Sequence, residues 1–170
     1  CINRDGGGDN GHMIRLFDVN GSGINQAIPA TDEQLQKTTY HYKVTVDSEK
    51  YIRFYLDDKK VIEYQDPNYD GGYIGLLSWD GEVKFSNVKL TLGEPLPDPI
   101  DPSVFNTNLE NIHSLNGNWV YVEDGFQGSG NGDCFAMSDT TASDFIFEAK
   151  VNLVEGNAAS LVFRAQDPPK

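Results

Sequence analysis

The chain has 170 residues, of which 38% are hydrophobic and 11% aromatic, enough for one domain with a single sizeable core and short for two. Its 26 acidic and 13 basic residues leave a formal charge of −13. A field of that sign repels phosphate backbones and anionic lipid surfaces, which argues against nucleic acid and membrane as partners and leaves neutral ligands such as sugars, or bound cations. The two cysteines, Cys1 and Cys134, allow at most one bridge, so no disulfide framework is expected. Neither a leader-like segment nor an apolar run of membrane-spanning length is seen, and the first residue is not methionine. The chain therefore reads as processed or excised from something larger.

Short apolar-alternating segments follow one another along the chain, separated by glycine, proline and asparagine, the pattern of strands and turns. "CINRD" opens as though in mid-strand, and "GHMIRLFDV" (11–19) reads as the next strand, followed by a loop at "NGSG". "ATDEQLQKTT" (30–39) could hold a short helix, but its composition favours a loop. "YHYKVTVDSE" (40–49) leads into "KYIRFYLDDKKVIEYQD" (50–66), a hairpin whose expected turn is the tetrad Asp57-Asp58-Lys59-Lys60. "GGYIGLLSWDGEVKFSNVKLTL" (71–92) predicts two strands around the turn dipeptide Asp80-Gly81.

"GEPLPDPIDPS" (93–103) carries four of the eight prolines and reads as a linker between residues 1–92 and 104–170. Beyond it, Trp119 in "GNWVY" is expected in the core, as is Cys134 in "GDCFAM". "SDFIFEAKVNLVEGNAASLVFRA" (143–165) predicts two strands joined at Glu155-Gly156-Asn157. Alternation puts Phe145, Phe147, Ala149, Val151 and Leu153 on one face, with Glu148 on the other. Arg164 is likewise opposite Leu161, Phe163 and Ala165.

The pieces "GNWVYVEDGFQGSGNGDCFAMS", "SDFIFEAKV" and "AASLVFRA" resemble the opening half of carbohydrate-binding module family 66. "INRD", "YHYKVTV", "IRFYLDD" and "GYIGLLSWDGEVKFSNVKL" resemble its closing half, yet here they precede the linker. The resemblance implies an all-β, concanavalin-like β-sandwich (jelly roll) of two antiparallel sheets. It also implies a non-catalytic module that binds fructan, levan above all and possibly inulin, and targets a family 32 glycoside hydrolase to it. An extracellular location follows from the same resemblance. Because the halves are permuted, the chain reads either as a circular permutant or as a cut through a tandem array. The tandem case allows completion by a second chain in a domain-swapped dimer.

If the chain ends lie together, "CINRD" neighbours "LVFRA". With Ile2 inward, Asn3 and Asp5 then join Glu148 and Arg164 on one polar surface. Carboxylates accept from sugar hydroxyls and an arginine fork donates to two oxygens, so the expected site ranks Arg164 and Glu148 above Asp5, and Asp5 above Asn3. The bland alternative is a solvated cross-strand ion pair worth ~0.2–1 kcal/mol. Trp79, with Tyr73 behind it, is the candidate stacking platform, against a plain core or rim role for both.

The acidic turns "RDGGGDNG" (4–11) and "EDGFQGSGNGDC" (123–134) admit a structural calcium without any fixed ligand spacing. His12, His41 and His113 show no metal spacing. No glycosidase pair of carboxylates is recognisable, so no enzyme is expected. The alternatives are a concanavalin-like hydrolase or lyase fragment, and a structural or adhesive surface sandwich.

Overall fold

The structure is a computed structural model that describes residues 1–4, 12–17, 24–93 and 112–166. Its elements in chain order are β1 (Ile2–Asn3), β2 (Met13–Phe17), β3 (Asn25–Pro29), α1 (Asp32–Gln36), β4 (Thr39–Val46), β5 (Tyr51–Leu56) and β6 (Lys59–Gln65). They continue with β7 (Gly72–Leu92), β8 (Ile112–Ser114), β9 (Asn118–Val122), β10 (Gly125–Ala142), β11 (Phe145–Glu155) and β12 (Ala158–Ala165). The fold is all-β, and every strand pair is antiparallel.

Two long strands organise the ladder. The first half of β7 pairs with β12 through Tyr73–Trp79, and its second half pairs with β11 through Glu82–Leu92. β10 follows β7 along both halves, with a register shift between Gly130 and Asp133. One group of strands therefore runs β3-β2-β1-β12-β7, and the other runs β7-β11-β4-β5-β6. A single apolar cluster joins them, with Ile2, Ile14, Ile74 and Leu76 from the first group and Tyr42, Phe54, Phe85 and Phe147 from the second. Burying this surface is the main favourable term in folding. It explains why strands from both sides of the predicted linker share one core.

Local chemistry departs from the sequence reading in three places. The segment expected as a loop forms α1: the Thr31 side chain accepts from the Gln34 amide, while the Gln34 side chain accepts from the Thr31 amide. This capping box satisfies two otherwise orphaned donors, enough to hold one short helix. The β5–β6 turn is two residues rather than four. Asp57 and Asp58 both take positive φ (49° and 65°), and Leu56 pairs with Lys59, so the lysines belong to β6. Asp80-Gly81 does not end a strand. Asp80 takes φ 47° inside β7, and the strand bends there and continues.

The predicted β11–β12 turn sits where expected, with β11 ending at Glu155 and β12 starting at Ala158. Trp119 packs on the core, its ring stacked on Phe85 at 6.1 Å. It also lies over Gly128, where any Cβ would meet the indole at 2.5 Å. Gly128→Ala is accordingly expected to lower stability by about 1–3 kcal/mol, measured by urea unfolding. Cys1 and Cys134 are both free, and burial pushes the Cys134 thiol pKa up. Of the linker only Gly93 is described, so residues 94–111 lie outside the described structure.

Candidate functional site

A cleft of about 600 Å³ opens where the end of β12 meets the segment after β6. Its polar rim carries Asp66, Asn68 and Tyr69 from that segment, and Ser160, Arg164 and Gln166 from β12 and its end. Leu77, Phe135 and Met137 supply apolar wall. The cleft thus offers hydrogen-bonding groups beside apolar surface, the usual make-up of a small-ligand site.

Arg164 is the centre of the rim. Its guanidinium Nη1 donates to the Asp66 carboxylate at 3.2 Å, and both residues are buried, at 7% and 1% exposure. The other Asp66 carboxylate oxygen accepts the Asn68 amide at 3.1 Å. Asp66 therefore anchors the arginine and is itself anchored by the turn that follows it. Arg164 takes φ 57°, an uncommon conformation for a residue with a Cβ. Gly72 makes room for it: a Cβ there would lie 2.6 Å from the Arg164 carbonyl carbon. The Gln166 side chain closes the arrangement by donating to the Arg164 carbonyl at 2.8 Å and to the Gly71 carbonyl at 2.9 Å. Non-glycine residues with positive φ persist where the surroundings enforce them, and they cluster at functional sites. The Arg164 Nε and the Ser160 Oγ are buried without a hydrogen-bond partner. Leaving such groups unpaired is costly.

Glu148 lies elsewhere. It lines a second, shallower groove of about 430 Å³ with His41, Asn87, Lys89 and Lys150. The polar surface expected to unite Glu148, Arg164 and Asn3 does not form, and the register shows why. Glu148 pairs with Lys89 of β7, whereas Ala165, the neighbour of Arg164, pairs with Tyr73 at the other end of that strand. β11 and β12 are consecutive in sequence but lie against opposite halves of β7. Asn3 is next to β12, as expected, but opposite Ala158. That is six residues along β12 from Arg164, roughly 20 Å at 3.3 Å per residue. Asp5 lies outside the described residues. Trp79 pairs with Asp133 and Ala158, and Tyr73 with Thr141 and Ala165, and neither lines the large cleft. Tyr69, Phe17 and Phe135 are aromatics that do.

Asp66, Asn68, Tyr69 and Gln166 were not singled out by the sequence reading. The signal was present in "QDPNYDGG" (65–72), a turn-rich stretch holding an aromatic and four amide or acid side chains. Loops of this kind carry recognition residues on a rigid scaffold. The acidic turn 123–134 does not gather its carboxylates: Asp124 pairs with Lys84 at 2.9 Å, and the Gly132 amide donates to Asp80 at 2.6 Å. Among the described residues no group of three or more His, Cys, Asp or Glu side chains could hold a metal ion. Residues 5–11, the other acidic turn, lie outside them.

In the second groove, His41 sits 3.6 Å from Glu148 and 3.0 Å from Asp58. The Glu148 carboxylate raises the His41 pKa more than burial lowers it, and Asp58 adds to the rise. His41 in turn holds the Glu148 pKa below its ordinary value. A raised folded-state His41 pKa contributes stability that is fully present below the unfolded value near 6.5 and is lost as pH rises through the folded value. A depressed Glu148 contributes stability that is present above about 4.5 and lost as pH falls through its folded value. The pair therefore stabilises most between those limits. In Glu148→Gln the His41 pKa, followed by NMR titration, is expected to fall; an unchanged pKa would show that Glu148 has no hold on it.

No family model matches the chain. The chain is similar to the levanase of Bacillus subtilis (strain 168), 28% identical over 132 residues. The match covers 75% of this chain and 19% of the levanase, so the chain spans about a fifth of the length of that relative. No helix among the described residues is long and apolar enough to cross a membrane.

Proposed function

We propose that the chain is a non-catalytic carbohydrate-binding module of the family 66 type, a concanavalin-like β-sandwich that captures terminal fructosyl units of levan and directs an appended glycoside hydrolase to the polymer. The observation that carries this reading is the buried Arg164, held by Asp66 at the mouth of the large cleft with its Nε unpartnered, in a chain similar to a levanase. A guanidinium fixed on one side presents its remaining donors in a rigid fork that suits adjacent hydroxyls. Asn68, Tyr69, Ser160 and Gln166 add donors and acceptors, and Phe135 with Leu77 adds surface for the C–H faces of the ring. Arg164 thus stays in the proposed site, with Asp66 replacing Glu148 as its carboxylate partner.

Asp66 is the one carboxylate among the described residues that line the cleft, and it is engaged by Arg164. Glycoside hydrolysis uses two, which favours binding over turnover. The halves on either side of the linker make one domain in permuted order, and the module acts outside the cell, where fructan is met.

Calorimetric titration against levan, inulin and an unrelated glucan, with an assay for released sugar, tests the proposal. Levan binding with Kd in the micromolar to millimolar range and no release is expected, since one sugar unit offers few atoms to contact. Sugar release would instead make the chain a hydrolase fragment. Silence towards all three polymers would favour an adhesive or structural sandwich.

A further inference from the structure

Where β7 bends at Asp80, β10 falls out of step with it. Gly130 pairs with Gly81 and Asp133 with Trp79, so two residues of β10, Asn131 and Gly132, stand against the single residue Asp80. Such a bulge turns backbone groups out of the ladder. Gly132 takes φ 68°, with open space where a Cβ would be, and its amide donates to the Asp80 carboxylate at 2.6 Å. Asn131, next to it, is exposed, and its side chain makes no hydrogen bond with a described residue.

An asparagine followed by glycine is the pair in which a backbone amide most readily attacks a side-chain amide, because glycine has no Cβ to obstruct the approach. The chain has four such pairs. Asn10-Gly11 and Asn20-Gly21 lie outside the described residues. Asn116-Gly117 matches Asn131-Gly132 in the exposure of its asparagine and in the positive φ of its glycine, 75°. It differs in what holds the side chain. Asn116 Nδ2 donates to the Asp133 carbonyl at 2.6 Å, and its Oδ1 accepts from the Phe135 amide at 2.7 Å, so both ends of that amide are fixed against β10. Asn131 has neither restraint, and the backbone amide beside it already points at a carboxylate.

We infer that Asn131 is a self-modification site, with the Gly132 nitrogen as nucleophile and the Asp80 carboxylate as its base. The Gly132 nitrogen bonds to Asn131 Cγ as its proton passes to Asp80. The bond from Cγ to Nδ2 breaks, and the side-chain nitrogen leaves as ammonia with the proton that Asp80 returns. Water then opens the cyclic imide at either carbonyl, leaving aspartate, or isoaspartate with the main chain rerouted through the side chain. Water is the only outside reactant, and Asp80 ends unchanged. The product adds a carboxylate to a turn that already carries Asp80 and Asp133.

The test follows wild type and Asp80→Gly at neutral pH over days, with fragment masses locating each exchange of a side-chain NH2 for OH. Glycine accepts the φ of 47° at this position, so the bend is kept while the base is lost. In folded wild type, Asn131 is expected to convert at least about tenfold faster than Asn116, whose two hydrogen bonds must first break. Asp80→Gly should slow Asn131 at least about tenfold and leave Asn116 unchanged. A carboxylate base also flattens the pH dependence, so from neutral to mildly alkaline pH the Asn131 rate should rise less steeply than that of Asn116. In urea-unfolded chains the two asparagines should convert alike, with or without Asp80. Equal rates at Asn116 and Asn131 in the folded chain would overturn the inference. A wild-type rate at Asn131 in Asp80→Gly would do the same, as would a difference between the two sites that survives unfolding. Every readout is made without sugar, so this result and that of the levan titration stand apart.

Discussion

Arg164→Ala is expected to abolish measurable levan binding. The guanidinium lines the cleft beside Asp66 and carries a buried, unpartnered Nε, as that of Arg15 also does. Hydrogen bonds from a charged donor contribute about 1.5–3 kcal/mol each, so losing even one lowers affinity tenfold or more. The same substitution strips Asp66, 1% exposed, of its ion-pair partner. Breaking a buried pair from one side costs about 3–5 kcal/mol. The variant is therefore compared with Arg164→Lys, which keeps a positive charge near Asp66 but loses the planar fork. The lysine variant should unfold close to wild type in urea and still bind levan at least about tenfold more weakly. Wild-type affinity in a folded Arg164→Lys or Arg164→Ala chain would remove Arg164 from the site.

Phe147→Ala should cost about 3–5 kcal/mol of folding free energy, read from urea unfolding. Phe147 is fully buried in the middle of β11, between Val44 of β4 and Leu90 of β7. Its ring belongs to the apolar cluster that unites the two groups of strands, so the cavity left behind cannot collapse without moving a central strand. Its neighbour Glu148, on the opposite face, provides the contrast. A partly exposed carboxylate in a wet groove contributes little, and Glu148→Gln should change stability by less than about 1 kcal/mol. A loss below about 1 kcal/mol for Phe147→Ala would mean that β11 is not the spine of the core.

The strand pattern was legible because side-chain alternation is a local property. Phe145, Phe147, Ala149, Val151 and Leu153 are all buried, as their spacing requires. That "CINRD" lies beside the strand ending in "LVFRA" was also legible, but its partners there are Ala158 and Ala159, short of residues 161–165. The short α1 was missed because its capping box, worth only ~1 kcal/mol, decides a segment whose composition favours a loop. The continuous β7 was missed because Asp80-Gly81, a turn signal in most contexts, is here a bend between pairings with β12 and β11.

The site shows the same division. Residue types alone marked Arg164 as a polar group on a strand face. They could not give it Asp66, which is 98 residues away in the chain and reaches it only through the segment after β6. They placed Glu148 beside Arg164 because alternation tells which face a residue takes within its own strand and nothing about which part of a neighbouring strand it meets. That is set by register and by the bend in β7, both consequences of burying one core from many short segments. Composition and alternation by themselves determined an acidic chain of strands and turns, and which face of β11 is buried. Which carboxylate holds the arginine, and which strand lies at the centre, were decided only when distant strands packed together.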